Sequence, residues 1–144
     1  MVPHRRLPTD RRILVTIYDH YHDAFTAYSD ESKTRSCKIY VPIDIGAIAR
    51  LLKVDGDIVF GRLYYHLERR YGYRNRDGSH VHFFARRVGE DTHCVNFPLL
   101  ASVLADLQDQ SRKHWWAIGI AVGSFFVSVA SLVIALLGAG SKAQ

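Results

Sequence analysis

The stretch DIGAIARLLKVDGDIVFGRLYYHLERRYGY, residues 44–73, contains the patterns that decide the predicted fold of this 144-residue chain. Two runs with apolar residues at helical spacing, 45–54 and 57–71, are separated by an Asp-Gly-Asp turn. Asp44 is suited to cap the first run, because an aspartate side chain accepts hydrogen bonds from the unpaired N–H groups of a first turn. The stretch therefore predicts two consecutive helices, each with one buried face.

An earlier helix and a short strand are predicted before this stretch. Apolar side chains recur at helical spacing from about residue 10 to residue 28, and Thr9 or Asp10 is placed to cap this helix. The polar segment 29–36 indicates a loop. Residues 38–41, KIYV, combine β-branched and aromatic side chains, which favours a short strand before Pro42.

A hairpin and a long helix are predicted after the stretch. The runs HVHFFARR (80–87) and THCVNF (92–97) favour two strands, joined by the tight turn VGED. Asn96 can then cap a last helix with Pro98 in its first turn. This helix contains no breaker, and we expect it to continue from about residue 98 to residue 137.

The predicted order of elements is helix, strand, helix, helix, strand, strand, helix, an α+β arrangement. Over roughly residues 10–110 this order resembles a winged helix-turn-helix domain, in which 44–73 would supply the helical motif and the hairpin would be the wing. The resemblance implies binding of DNA through the third helix. The basic or polar residues that would then face a nucleic acid or another partner are Arg62, His66, Arg69, Arg70, Arg74, Arg76, Arg86 and Arg87.

The start of the third helix argues against base recognition. Recognition helices contact bases with their N-terminal residues, which here are Asp57, Ile58 and Val59. A carboxylate at this end repels phosphate, and the aliphatic side chains form no hydrogen bonds with base edges. We therefore expect the domain to be an adaptor or regulator that binds a protein partner, with nucleic acid as the alternative.

The distribution of charge predicts a membrane anchor. The chain has 19 Lys and Arg and 14 Asp and Glu, none of which lies in residues 115–141. Residues 117–137 form a mostly apolar run that would span about 31 Å as a helix, matching a bilayer core. The residues expected at the membrane interface are Arg112, Lys113, Trp115 and Trp116. Positive charge before the run predicts a single-pass, tail-anchored protein with its N-terminal domain in the cytoplasm, at the inner or plasma membrane in a bacterium.

These patterns divide the chain into four parts and predict a packing face on the anchor. The parts are a basic tail (1–9), the domain with its stalk helix (10–114), a transmembrane helix (115–138) and a short non-cytoplasmic tail (139–144).

Small residues, which allow close helix packing, recur along the anchor and predict a homo-oligomer or a partner helix. They are Ala117, Gly119, Ala121, Gly123, Ser124, Ser128, Ser131 and Ala135. An oligomerising membrane effector of the holin or toxin type is a further alternative.

No motif in the sequence indicates catalysis, a cofactor or a metal ion. His80 and His82 share one face of a predicted strand, but His93 and Cys94 on the partner strand do not converge with them in the expected register. The acidic and histidine residues at 19–23 have no nucleophile or oxyanion donor on another element. We therefore expect a protein that is not an enzyme and binds no cofactor or metal.

Overall fold

The computed structural model describes residues 7–29 and 31–140, and the chain divides into two compact units, Met1–Asp106 and Leu107–Gln144. The described elements form a mixed α+β arrangement, as predicted. They are α1 (Asp10–Thr26), β1 (Tyr40–Pro42), α2 (Ile45–Leu52), α3 (Gly56–Gly61), a π-helical segment (Arg62–Leu67), α4 (Glu68–Tyr71), β2 (Tyr73–Arg74), β3 (His80–Val81), β4 (Phe84–Val88), β5 (Asp91–Asn96) and α5 (Phe97–Gly140).

The side-chain caps predicted for three helices are confirmed. Thr9, Asp44 and Asn96 each accept a hydrogen bond from the backbone N–H three residues later, at 3.3, 3.0 and 3.2 Å. Each bond satisfies an N–H group that has no partner within its own helix. The helices α1, α2 and α5 therefore begin where local side-chain chemistry places them.

A three-stranded antiparallel sheet has the order β1-β5-β4. The predicted hairpin is confirmed as β4 and β5, whose register places Phe84 opposite Val95. On the other side of β5, Val95 faces Val41 of β1. Pro42 is tolerated in β1 because this strand lies at the edge of the sheet, where one side of the backbone needs no ladder partner.

The first predicted hairpin strand, 80–87, is divided into two. Residues 80 and 81 form β3 and pair with β2, so that Val81 lies opposite Tyr73. The N–H groups of Phe83 and Phe84 donate instead to the side chain of Glu68. A carboxylate therefore replaces a strand partner at the point where β3 and β4 separate.

The helix predicted over 57–71 is observed as α3, the π-helical segment and α4 in succession. The N–H of Glu68 bonds the carbonyl of Leu63, five residues earlier, which is the spacing of a π-helix. Leu63 and Leu67 are both fully buried, and they join a core that also contains Ile13 and Phe83. Burial of each such side chain contributes about 1.5–3 kcal/mol, so this core is the main source of stability in the first unit.

The predicted transmembrane anchor is wrong. A spanning helix needs about 20 consecutive, predominantly apolar residues. Within residues 7–29 and 31–140, no helix combines the length and the apolar character that crossing a bilayer requires. The predicted membrane localisation and cytoplasmic orientation depended on this anchor, and they are wrong for the same reason.

Part of the predicted packing face of α5 is described. The hydroxyls of Ser124, Ser128 and Ser131 each donate to the carbonyl four residues earlier, at 2.9 Å. Trp116 is exposed. The other predicted interface and packing side chains lie outside the part that the structure describes; they are Arg112, Lys113, Trp115, Ala117, Gly119, Ala121, Gly123 and Ala135. Residues 1–6 and 141–144 of the predicted tails lie outside it as well.

Candidate functional site

A groove of about 840 Å³ lies where the π-helical segment and α4 face β3 and β4. Its lining combines aromatic, basic and histidine side chains. Those on the helical side are Tyr64, Tyr65, Glu68 and Arg69, and those on the strand side include His80, His82, Arg86 and Arg87. Because the π-helical segment and β4 are both anchored in the core, they hold these side chains in fixed relative positions.

The outer part of the groove is basic and aromatic. Tyr65 is 72% exposed, and the Arg86 guanidinium lies 5.5 Å from the centroid of the Tyr64 ring. Arg69 and Arg87 are exposed beside them, and Arg87 donates through Nε to a turn carbonyl at 3.0 Å. Guanidinium groups in this setting attract carboxylates or phosphates, and tyrosine rings offer faces for stacking.

The strand wall of the groove has an open edge. β4 pairs with β5 on one side, and among the described residues no strand pairs with its other side. The N–H of Phe84 faces this open side, since it donates to Glu68 at 2.8 Å. Backbone groups alternate in direction along a strand, so the N–H and carbonyl of Arg86 face the same side. Two backbone groups at the centre of β4 thus have no strand partner among the described residues.

Glu68 occupies the inner end of the groove, where its two carboxylate oxygens have different partners. Oε2 accepts hydrogen bonds from the N–H groups of Phe83 and Phe84, at 2.7 and 2.8 Å. Oε1 lies 2.7 Å from Nδ1 of His82 and 3.6 Å from Nε2 of His80. The side chain of Glu68 is only 14% exposed, so these partners replace most of its hydration.

Gly72 provides the space that Glu68 occupies. A Cβ atom at position 72 would lie 2.7 Å from the Glu68 carbonyl oxygen and 2.9 Å from its Oε1. The N–H of Gly72 also donates to that carbonyl at 2.8 Å, closing α4. A glycine is therefore needed at this helix end because the carboxylate folds back over it.

Two of the predicted binding residues are engaged away from the groove. Arg62 donates to Oδ1 of Asp10 through Nη2 and also through Nε, the latter at 3.0 Å. His66 Nε2 lies 3.1 Å from Oδ2 of the same carboxylate. Asp10 is 15% exposed, so this cluster ties the start of α1 to the π-helical segment.

The remaining predicted binding residues divide between the groove and the surface around it. Arg69, Arg86 and Arg87 line the groove together. Arg74 and Arg76 are exposed on β2 and the following turn, and neither lines the groove. Arg70 is exposed as well, and its guanidinium lies 5.3 Å from the ring centroid of the adjacent Tyr71.

Of the four residues considered from the sequence as metal ligands, the structure brings two together. His80 and His82 have their ring centroids 4.1 Å apart. The ring of His93 instead packs near Phe60, and Cys94 is fully buried. Burial raises the pKa of the Cys94 thiol to about 11, which keeps it protonated and unreactive near neutral pH.

Glu68 was not identified from the sequence. A glutamate between a leucine and two arginines on a helix has the pattern of a solvated position, because the chain shows no sign there of the strand that folds against it. A usable signal was the glycine four residues later, since glycine at a helix end marks a close approach or an unusual cap.

The comparisons with known proteins give no family. No family model matches the chain, and no curated protein and no solved structure shows significant similarity to it. The predicted identification, a winged helix-turn-helix domain with a transmembrane anchor, is therefore wrong as a combination, since the anchor is absent from the described residues and no family supports the rest.

Proposed function

We propose that the domain is a non-catalytic adaptor that binds an acidic, extended segment of a partner protein in the groove. The observation that carries this proposal is the open edge of β4 beside three exposed arginines, Arg69, Arg86 and Arg87. An extended peptide can add to such an edge through backbone hydrogen bonds, while pockets and charges beside it select the side chains.

The charge of the groove favours an acidic partner segment. Glu68 is the acidic residue among those lining the groove; it lies at the inner end, where its Oε2 accepts hydrogen bonds from two backbone N–H groups. Three arginines against one carboxylate leave the groove lining with an excess of positive charge, which attracts an acidic ligand. Arg87 approaches Glu90 at 3.6 Å, but both side chains are largely exposed and this pair is weak.

A peptide fits these features better than a nucleic acid does. Backbone N–H and carbonyl groups of Arg86 at the strand edge complement another strand, whereas nucleic acids offer no matching ladder. Arg62 and His66, which a nucleic-acid surface on the third helix would need, are held by Asp10. Asp55 and Asp57 at the start of α3 add negative charge at the end where recognition helices contact bases.

The test is a fluorescence anisotropy titration of the full chain with two labelled probes. One probe is a peptide of alternating glutamate and valine, and the other is single-stranded DNA of mixed sequence. We expect the peptide to bind and the triple variant R69A/R86A/R87A to weaken it by roughly tenfold or more, because each guanidinium is a charge-assisted donor.

The control is R50A/R74A/R76A, which removes the same charge from exposed positions outside the groove. Equal losses in the two triple variants would show nonspecific attraction and would refute the groove. Binding of DNA without binding of the peptide would favour the nucleic-acid alternative. Amide exchange supplies a second readout, since the N–H of Arg86 should be protected by the peptide if a strand adds to β4.

We propose self-association through the second unit as a second function, favoured by its exposed apolar side chains. Phe126, Val127 and Ile134 are each at least 66% exposed, and several exposed apolar side chains on one helix favour an interaction surface. Crosslinking of the full chain should yield oligomers, and F126S/V127S/I134S should abolish them. The control I39S/L51S changes exposed apolar residues of the first unit and should leave the oligomers unchanged.

A further inference from the structure

We propose that Glu68, His80 and His82 form a binding site for one divalent transition-metal ion of the zinc class. The proposal rests on the geometry of these three side chains. It does not depend on the binding of a partner segment in the groove, and either proposal can fail without the other.

The ligand atoms converge on one point. Glu68, His80 and His82 each offer one ligand atom, and these three atoms lie within 4.8 Å of one another. Tetrahedral zinc, with bonds of about 2.1 Å, separates its ligand atoms by roughly 3.4 Å. The separations from Oε1 are 2.7 and 3.6 Å, one below and one above this value, so small movements of two partly exposed imidazole rings would complete the geometry.

The carboxylate is oriented before any ion binds. The N–H groups of Phe83 and Phe84 hold Oε2 and thereby direct Oε1 towards the imidazole rings. Hydrogen bonds to the second oxygen of a ligating carboxylate are the usual support of a protein metal site. Gly72 leaves room for this arrangement, since a Cβ there would lie 2.9 Å from Oε1.

A hydrogen-bonded network without a metal does not explain the position of His80. His82 Nδ1 satisfies Oε1 at 2.7 Å, whereas His80 Nε2 at 3.6 Å is beyond hydrogen-bond distance. The two rings nonetheless stack, with an interplanar angle of 29°, and direct one nitrogen each towards the same oxygen. A shared cation accounts for both nitrogens.

The donor set determines the class of ion. Two imidazole nitrogens and one carboxylate oxygen suit zinc, copper or nickel, whereas magnesium and calcium prefer oxygen donors alone. All three side chains line the groove, so the remaining coordination position opens towards it and can take water or a further ligand. The ion would also link α4 to β3 and to the segment between β3 and β4.

The test is isothermal titration of the full chain with zinc chloride, after treatment with a chelator and dialysis. We expect one equivalent to bind, and H80A/H82A to bind at least about 100-fold more weakly, since two of three ligands are lost. This double variant leaves Glu68 and its bonds to Phe83 and Phe84 in place. The matched control is H20A/H22A, which removes two histidines of α1 with the same spacing and should bind as the wild type does.

Two further measurements test the ion site if the double variant H80A/H82A does not fold. The single variant H80A removes a side chain that forms no hydrogen bond in the cluster, and we expect it to weaken zinc binding at least about tenfold. Substitution of Co²⁺ should give the intense visible absorption of a four-coordinate ion in the wild type and not in H80A. Absence of stoichiometric zinc binding in the wild type, or equal losses in H80A/H82A and H20A/H22A, would refute the site and leave a hydrogen-bonded cluster only.

Discussion

Arg35 gives the sharpest test of what holds the first unit together. It is 8% exposed, and within residues 7–29 and 31–140 its guanidinium bonds no carboxylate and donates instead to backbone carbonyls of two segments. Nη1 bonds the carbonyl of Ala24 at 2.7 Å, Nη2 bonds Lys38 at 2.8 Å, and Nε bonds Cys37 at 3.0 Å. One side chain therefore closes the C-terminal end of α1 and attaches the following loop to it.

The variant Arg35→Met keeps an unbranched side chain that reaches about as far as Nε, and it removes the guanidinium with its donors. The Arg35 guanidinium makes a fourth, longer bond, from Nη2 to the Phe25 carbonyl at 3.4 Å. The three shorter charge-assisted bonds alone, at the lower value of about 1.5 kcal/mol each, give an expected loss of about 4.5 kcal/mol in the free energy of unfolding. The lower value applies because the released carbonyls regain water when the loop opens. A further contact of the guanidinium is lost as well, since it lies 4.6 Å from the ring centroid of Tyr28.

The assay is urea unfolding of the full chain, followed by near-ultraviolet circular dichroism. Arg50→Met is the control, because the side chain of Arg50 is 76% exposed and its ion pair with Asp44, at 3.8 Å, is weak. A loss below about 1 kcal/mol in Arg35→Met, or a loss equal to that of the control, would refute the reasoning, because the carbonyls would then be satisfied without the guanidinium.

Three other changes test separate features. Lys53 ends α2 with a φ of 57°, so Lys53→Gly should raise the free energy of unfolding by up to about 1 kcal/mol, and an unchanged urea midpoint would contradict this. Burial raises the pKa of the Cys94 thiol from 9.0 to about 11, so that the thiol of the unfolded chain ionises at a lower pH than that of the folded chain. The free energy of unfolding should therefore fall by up to about 3 kcal/mol as the pH rises from about 9 to about 11. Cys94→Ala should remove that slope, and a slope that persists would assign it to another group. Gly72→Ala should displace Glu68 and destabilise the fold by about 1–3 kcal/mol. The control Gly61→Ala should not destabilise it, because a Cβ at position 61 would meet only ordinary contacts. Equal effects of the two variants would refute the inference that Glu68 needs a glycine at position 72.

The helix starts could be predicted because the interactions that set them are local. Thr9, Asp44 and Asn96 each act on an N–H three residues away, and this spacing can be recognised in the sequence itself. The hairpin was predictable for the same reason, since its two strands are joined by a short turn containing Gly89 at a φ of 58°.

The groove could not be predicted, because its defining contacts join residues that are distant in sequence. Arg62 was expected to face a partner, but Asp10, 52 positions earlier, binds its guanidinium away from the groove. An arginine on a predicted helix has the same appearance in the sequence whether it is free or paired. The distinction depends on how α1 packs against the π-helical segment, which periodicity does not determine.

The hydrogen bonds of Glu68 were not predicted from the sequence, and they lie beside both proposed sites. Its Oε2 takes the N–H groups of Phe83 and Phe84, which lie 15 and 16 positions later, and so ends the strand that the sequence predicted to be continuous. His80 and His82 lie before this break with one nitrogen each near Oε1, and Arg86 lies beyond it on the edge strand β4. A strand that ran unbroken from 80 to 87 would alternate its side chains evenly between two faces and would have no carboxylate at its edge. The candidate ion site and the candidate peptide site therefore lie on the two sides of one break in the strand, and each is tested by variants that leave Glu68 unchanged.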